Sequence, residues 1–92
     1  MLYLARMDVT FPESLSAEQV AEFQVREKEY SGNLQRSGKM AGIWRVVGEY
    51  ANHSLFDVDS NDELHEILSG FPMYPYMKIK VTALAKHPNS IR

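Results

Sequence analysis

Glu27 is the residue of this chain whose type and position best suit it to chemistry. The apolar side chains Val20, Phe23, Tyr30 and Leu34 follow the spacing of a helical stripe only if Glu27 is counted as the middle member. A carboxylate that faces a core either finds strong partners or has its pKa raised by desolvation, and both outcomes suit a general base. Pairing with a buried arginine or extension to solvent would produce the same pattern, so a structural role stays open.

A group of polar residues lies in a predicted hairpin, across the expected core from the carboxylate. Tyr50, Asn52 and Ser54 carry hydroxyl and amide donors close together in sequence. Such donors could hold an oxyanion while Glu27 moves a proton, which is the minimum equipment for shifting a double bond next to a carbonyl. Taken alone, the three residues are equally typical of a turn and of core filling.

Other kinds of site are not indicated by the sequence. His53, His65 and His87 are too dispersed to form a recognisable metal motif, so we expect no metal. Ser54 and His53 are neighbours on a predicted strand and point to opposite faces, which argues against a nucleophilic pair. The absence of cysteine excludes disulfides, thiolate metal sites and a cysteine nucleophile.

Composition limits the partners and the size of the fold. The 92 residues are 45% hydrophobic and 24% charged, which indicates one globular domain over residues 1–92 that could gain buried area by forming an oligomer. A net charge of −2 with scattered Lys and Arg predicts no nucleic-acid partner. Residues 1–10 lack the apolar run of a signal peptide or membrane span, so we expect no membrane partner and a cytoplasmic protein.

The first predicted elements are a strand and the long helix that carries the carboxylate. From Tyr3 to Phe11 the odd positions are apolar and most of those between them are polar, which is the period of a strand. Ser16 and Gln19 then form a capping box at the start of a helix, which is expected to run to about Ser37.

The remaining elements complete the order β-α-β-β-α-β. Segments 43–48 and 52–58 are rich in β-branched and aromatic residues, and the short gap between them predicts a hairpin. Ser60 and Glu63 form a second capping box before a short amphipathic helix, and residues 77–83 alternate as a last strand before an extended tail, 84–92. This order predicts the ferredoxin-like α+β fold, an antiparallel sheet with both helices on one face.

A turn near Glu49 and Tyr50 would decide which hairpin residues face the helices. The residues expected on the helix side are Trp44, Val46, Ser54 and Phe56. Those expected on the other side are Arg45, Val47, His53, Leu55 and Asp57. Arg45 and Asp57 are then predicted to form a structural pair across the hairpin. The apolar members of this other face are Leu2, Leu4, Val47 and Leu55. They suggest that a second subunit covers it, giving a dimer of the α/β-barrel type through the sheet.

Short runs distributed over nearly the whole chain match the pattern of one known family. These runs are Leu34-Gln35-Arg36, Trp44-Arg45, Gly48, Tyr50-Ala51-Asn52, Ser54, Phe56-Asp57-Val58, Leu64-His65, Pro72, Pro75-Tyr76-Met77 and His87-Pro88, together with Glu27 in Glu27-Lys28-Glu29. Each run is a weak signal alone, whereas their order, spacing and total length are specific. In these residues the chain resembles muconolactone δ-isomerase.

The resemblance implies an activity and an assembly. It implies a cofactor-independent isomerase that converts muconolactone to the 3-oxoadipate enol-lactone in the β-ketoadipate pathway of aromatic catabolism. It also implies a ferredoxin-like subunit in a large ring-like homo-oligomer, commonly a decamer. A vinylogous carbon acid next to a lactone needs one base and one oxyanion site, which agrees with the residues singled out above.

The expected mechanism assigns a role to each candidate residue. Glu27 removes the ring proton at the carbon that bears the carboxymethyl group and returns a proton next to the carbonyl. Tyr50, Asn52 or Ser54 steadies the oxyanion. The substrate's carboxylate requires a cation, for which Arg6, Arg45 and a residue of a neighbouring subunit are the candidates.

Three alternatives share this scaffold. The related chloromuconolactone dehalogenases eliminate chloride instead of moving the proton on, and a carboxylate at Glu27 favours isomerisation because the proton must be delivered back. His53 departs from the aromatic residue that the family pattern has there, which bears on substrate preference or on an interface. A non-catalytic dimer that binds a small ligand would show no lactone turnover, and a cofactor-free monooxygenase would consume oxygen.

Overall fold

The computed structural model describes residues 1–92 and has the predicted order of helices and strands. The elements are β1 (Leu2–Val9), α1 (Ala17–Arg36), β2 (Met40–Arg45), β3 (Ala51–Asp57), α2 (Asn61–Gly70), a 3₁₀ turn (Tyr74–Tyr76) and β4 (Met77–Leu84). The four strands form one antiparallel sheet in the order β2-β3-β1-β4. The ferredoxin-like α+β fold predicted from the sequence is confirmed.

Helix α1 begins and ends where its sequence signals place it. The Ser16 side chain accepts a hydrogen bond from the Gln19 backbone at 3.1 Å, and the Gln19 side chain accepts one from the Ser16 backbone at 2.8 Å. At the other end Ser37 is the C-cap and Gly38 adopts a φ of 81°, a conformation that glycine reaches without a steric penalty. All five stripe positions, including Glu27, are partly buried against the sheet. The predicted helix face is therefore confirmed.

Helix α2 closes the core at the other end of the sheet. Its Ser60 side chain accepts from the Glu63 backbone at 3.1 Å, but the Glu63 carboxylate accepts from the backbone of Asp59 rather than from Ser60. The Glu63 carboxylate also forms an ion pair with Lys39 at 3.1 Å. Because it accepts no hydrogen bond from the Ser60 backbone, the second capping box is only half formed. The buried core members are Tyr3, Ala5, Met7, Met40, Phe56, Val58, Leu64, Leu68 and Phe71.

The predicted faces of the hairpin are wrong for β2. Ile43 and Arg45 lie opposite Ser54 and Asn52, on the helix side, whereas Trp44 lies opposite His53 on the open side. The strands are joined by five residues, 46–50, in a turn where the Glu49 N–H bonds to the Val46 carbonyl at 3.2 Å. A shift of one residue in register exchanges the two faces of a strand. This shift moves Arg45 to the side of the helices.

The open face of the sheet also lacks one residue that was predicted for it. Val47 belongs to the turn and is 95% exposed, so it does not lie on this face. Trp44 takes its place and packs its indole over Gly42. The predicted pair of Arg45 with Asp57 is also wrong, because Asp57 lies opposite Leu2 and its carboxylate is 3.5 Å from the N-terminal ammonium.

Neither helix is long and apolar enough to cross a membrane.

Candidate active site

An open cleft of about 750 Å³ lies between α1, the β2-β3 hairpin and the loop that precedes β4. The residues that line it come from all three segments and from β1 and β4, so its shape depends on the tertiary fold. They are Val9, Gln24, Glu27, Ile43, Arg45, Gly48, Glu49, Tyr50, Ala51, Asn52, Met73 and Met77. A cleft of this volume suits a small molecule.

Glu27 is the half-buried carboxylate of the cleft. Its Oε1 accepts a hydrogen bond from the Met73 backbone N–H at 3.1 Å, and no cationic side chain lies within salt-bridge distance of it. Burial raises the pKa of Glu27 above its ordinary value, and the hydrogen bond from Met73 opposes this rise. Of the structural roles considered from the sequence, pairing with a buried arginine is thus not observed.

Asn52 and Ser54 form a hydrogen-bonded pair on β3. The Ser54 hydroxyl is fully buried and donates to Asn52 Oδ1 at 2.8 Å. If the amide were reversed, this hydroxyl would lose its acceptor in a buried position, so the pair fixes Oδ1 toward Ser54. The amide N–H₂ of Asn52, which lines the cleft, is left free to donate. Ser54 itself does not line the cleft.

Tyr50 stands at the mouth of the cleft in the hairpin turn. Its ring is 54% exposed, and its hydroxyl lies 3.1 Å from the side-chain nitrogen of Gln24. When it accepts from Gln24, the phenolic O–H is free to donate to a ligand. Phe11 packs edge-on against the Tyr50 ring, with centroids 6.2 Å apart, and joins it to an aromatic cluster beside the cleft.

Arg45 is the one basic side chain that lines the cleft, and it has no carboxylate partner. Arg6, the other arginine considered for a substrate carboxylate, lies on the open face. Its guanidinium is held at 3.0 Å by both Asp8 and Glu49. Because Glu49 also lines the cleft, this ion pair neutralises a carboxylate at its mouth.

Three hydrogen-bonding groups of the cleft were not among the site residues predicted from the sequence: the Met73 amide, Gln24 and Glu49. Met73 contributes a backbone N–H, which no side-chain pattern reveals, from the connection between α2 and the 3₁₀ turn. Gln24 lies one turn before Glu27 on α1, and that spacing could have indicated it. Glu49 could be recognised only through the fold, because its partner Arg6 is 43 residues away.

The fold and the cleft together define a class of protein. It is a protein of ferredoxin-like α+β fold in which a desolvated carboxylate on the first helix shares an open cleft with an amide, a phenol and a free guanidinium. Such a set of groups can take up a proton from a small anionic molecule and hold the charge that develops.

Comparison with known proteins identifies the family. The muconolactone delta-isomerase family pattern matches residues 1–90. The muconolactone delta-isomerase of Cupriavidus pinatubonensis is 60% identical over the full length of both chains. That of Rhodococcus opacus is 50% identical over 99% of this chain and 98% of its own. A crystal structure of muconolactone isomerase superposes with a TM-score of 0.95 at 40% identity, covering 100% of this chain and 96% of that one. The chain belongs to the muconolactone δ-isomerase family, and the resemblance seen in its sequence is confirmed.

Proposed function

We propose that this isomerase converts muconolactone to the 3-oxoadipate enol-lactone with Glu27 as its single acid-base group. The observation that carries the proposal is a half-buried carboxylate of raised pKa whose hydrogen bond comes from a backbone amide, in a cleft that also presents hydrogen-bond donors. A base of this kind keeps one oxygen anchored and the other available to a substrate.

The reaction is a proton shift between two ring carbons. Glu27 removes the hydrogen from the carbon that bears the carboxymethyl group, and the C–H electron pair enters the conjugated system to give a dienolate. The ring double bond moves by one position, and the negative charge reaches the carbonyl oxygen of the lactone. Glu27 then protonates the carbon next to that carbonyl, so the carboxylate is regenerated and no co-reactant is consumed.

The dienolate oxygen is stabilised by donors of the hairpin. Asn52 offers an amide N–H₂ whose orientation is fixed by Ser54, and Tyr50 offers a phenolic O–H. Preorganised donors of this kind stabilise the charged intermediate more than the neutral substrate. In this account Ser54 acts through Asn52 instead of binding the substrate directly, because its hydroxyl is fully buried.

A direct assay tests the activity. The purified protein is incubated with muconolactone and with its 5-chloro analogue, and enol-lactone formation and chloride release are followed side by side. We expect rapid isomerisation of muconolactone. A strong preference for chloride release would overturn the choice in favour of dehalogenation, and ligand binding without turnover would overturn enzymatic function.

Arg45 is proposed to bind the carboxymethyl group of the substrate. A charge-assisted hydrogen bond contributes about 1.5 to 3 kcal/mol, so Arg45→Met is expected to raise KM roughly 10- to 100-fold with a smaller effect on kcat. Arg45→Lys should retain part of the affinity, because it keeps the charge but loses the planar fork. The matched control is Arg36→Met, which removes an exposed arginine of α1 that bonds only to Asn33. An unchanged KM for Arg45→Met would remove Arg45 from the site.

The open face of the sheet is proposed as the contact between copies of this chain in a homo-oligomer, for which the resemblance implies a decamer. Trp44 is 56% exposed there and Leu2 39%, and Leu4 and Leu55 continue the same apolar surface. Burial of such a surface is a main source of stability in homo-oligomers.

Substitution on this face tests the assembly. Trp44→Glu is expected to lower the mass measured by light scattering after size-exclusion chromatography, because a desolvated carboxylate opposes contact. Val47→Glu is the matched control, since Val47 lies in the turn, off the face. An unchanged mass for Trp44→Glu would exclude this face from the contact.

A further inference from the structure

Glu27 depends on the backbone of the segment that follows α2. Phe71, Pro72 and Met73 connect α2 to the 3₁₀ turn, and the Met73 N–H is the donor that reaches Glu27 Oε1. The neighbouring amides already have local backbone partners: Phe71 donates to Leu68 of α2, and Tyr74 donates to Phe71 at 2.9 Å. Pro72 has no N–H to offer. Met73 is therefore the amide of this segment that is left for the carboxylate.

A single tyrosine holds the start of that segment. The Tyr30 hydroxyl donates to the Ile67 carbonyl, in α2, at 2.7 Å. Its ring packs edge-on against Phe71, with centroids 4.7 Å apart. Because α2 ends at Gly70, this hydroxyl reaches α2 within one turn of its C-terminus, where backbone carbonyls lack helical partners. Tyr30 thus ties α1 to the turn that carries the Met73 amide.

Gly70 is what allows the tyrosine to approach. A Cβ built at Gly70 would collide with the Tyr30 hydroxyl and lie 3.2 Å from the ring carbon that bears it. The φ of Gly70 is not in the left-handed region, so the close approach, and not backbone conformation, is the reason for a glycine here. Tyr30 and Gly70 form one contact, which we call the tyrosine clamp.

We propose that the tyrosine clamp is a positioning device for catalysis: Tyr30 and Gly70 hold the Phe71–Met73 segment so that the Met73 N–H fixes Glu27 Oε1 and leaves the other oxygen to carry the proton. Tyr30 lies three residues from Glu27 on the same helix, so the clamp and the base share one rigid element. The inference deepens the proposed mechanism and rests on Glu27 being the base.

The groups that face Glu27 fix the sign of the expected pH effect. From α1 there is Tyr30, whose own pKa is raised by burial first and by the Glu27 charge second. From the hairpin there are Arg45, Glu49 and Tyr50, which share the cleft, and the loop before β4 contributes the Met73 amide alone. Gly70→Ala removes no charged group from around Glu27 and acts on it only through Tyr30 and the Met73 amide. Loss of the Met73 hydrogen bond must then raise the pKa of Glu27.

The experiment compares Tyr30→Phe, Gly70→Ala and the double variant in the assembled protein. We expect each single variant to lower kcat roughly 3- to 10-fold with little change in KM, and to move the acid limb of kcat against pH upward. The double variant should lose less than the product of the two single effects, because the Ala methyl group no longer meets a hydroxyl. Matched controls are Tyr74→Phe, whose hydroxyl has no partner, and Gly32→Ala in the interior of α1, where the Cβ meets only the flexible Arg36 side chain.

A second readout separates the clamp from the role of the base. The carboxyl carbon of Glu27 is titrated by NMR in each variant, with Glu27→Gln used to assign its signal. An upward shift of its pKa in Gly70→Ala with an unmoved kcat profile would uphold the clamp and overturn Glu27 as base. An unmoved Glu27 titration in folded Tyr30→Phe and Gly70→Ala would overturn the clamp, as would strictly multiplicative effects in the double variant.

Discussion

Glu27→Gln is expected to lower kcat by about a thousandfold or more while the protein stays folded. Positioned acid-base catalysis contributes about 10²- to 10⁴-fold, and here one group performs both proton transfers. Glutamine keeps the length of the side chain and an oxygen that can accept the Met73 N–H, so the loss isolates the missing base. Glu27→Asp withdraws the carboxylate by one methylene, and its kcat should lie between those of the unmodified protein and Glu27→Gln.

The matched control for this substitution is Glu29→Gln, two residues further along the same helix, where the carboxylate is exposed. It should leave kcat unchanged. Circular dichroism and the thermal unfolding midpoint confirm that both variants are folded. A folded Glu27→Gln protein with a near-normal rate would remove Glu27 from the mechanism.

Glu27→Gln should also raise Tm by a few degrees near neutral pH. Burial raises the pKa of Glu27, so the folded protein holds the carboxyl proton more tightly than the unfolded chain does. The stability that the neutral Glu27 carboxyl contributes is fully present below the pKa that Glu27 has in the unfolded chain. It is lost as the pH rises through the pKa of Glu27 in the folded protein. Glutamine cannot ionise, and its advantage should therefore shrink as the pH is lowered, which a series of melting curves measures.

Asn52→Ala is expected to produce the second largest loss, about 10²- to 10³-fold in kcat. It removes the amide that donates to the dienolate oxygen, and loss of one such donor has effects of that size in other enzymes. KM should change little, because the interaction strengthens only as the charge develops. A small kcat effect with a large rise in KM would show that Asn52 binds the substrate and does not stabilise the oxyanion.

Ser54→Ala distinguishes the donor from the residue that orients it. Without the buried hydroxyl the amide of Asn52 is free to turn, so we expect a loss of only about 3- to 10-fold in kcat. Asn33→Ala, in an exposed part of α1, is the control for the amide that Asn52→Ala removes. If Ser54→Ala cost as much as Asn52→Ala, the serine would have to act on the substrate itself.

The elements of this fold are predictable from sequence because each carries its own local signals. The capping box at Ser16 and the alternation in β1 depend on residues a few positions apart, and both predictions are confirmed. The position of Glu27 on the buried face of α1 is predictable for the same reason, since a helical stripe is a local pattern. Where one residue type at one spacing decides the structure, the sequence is sufficient.

The parts that could not be predicted depend on register and on backbone groups. The length of the hairpin connection decides which residues of β2 face the helices. A register difference of one residue places Arg45 on the opposite side of the sheet. Without that shift Arg45 could not share a cleft with Glu27. The Met73 amide and the engagement of Arg6 with Glu49 arise only when segments distant in sequence meet.

The most direct test of the central claim is the fate of hydrogen when enantiopure muconolactone is isomerised in deuterated water, followed by NMR. One base on one face predicts that the entering hydrogen, whether deuterium or the original proton, appears next to the carbonyl on the face from which the ring proton left. In Glu27→Gln both conversion and exchange should fall by about the thousandfold or more expected for kcat. Delivery to the opposite face, or exchange that persists undiminished in Glu27→Gln, would contradict a single base at Glu27.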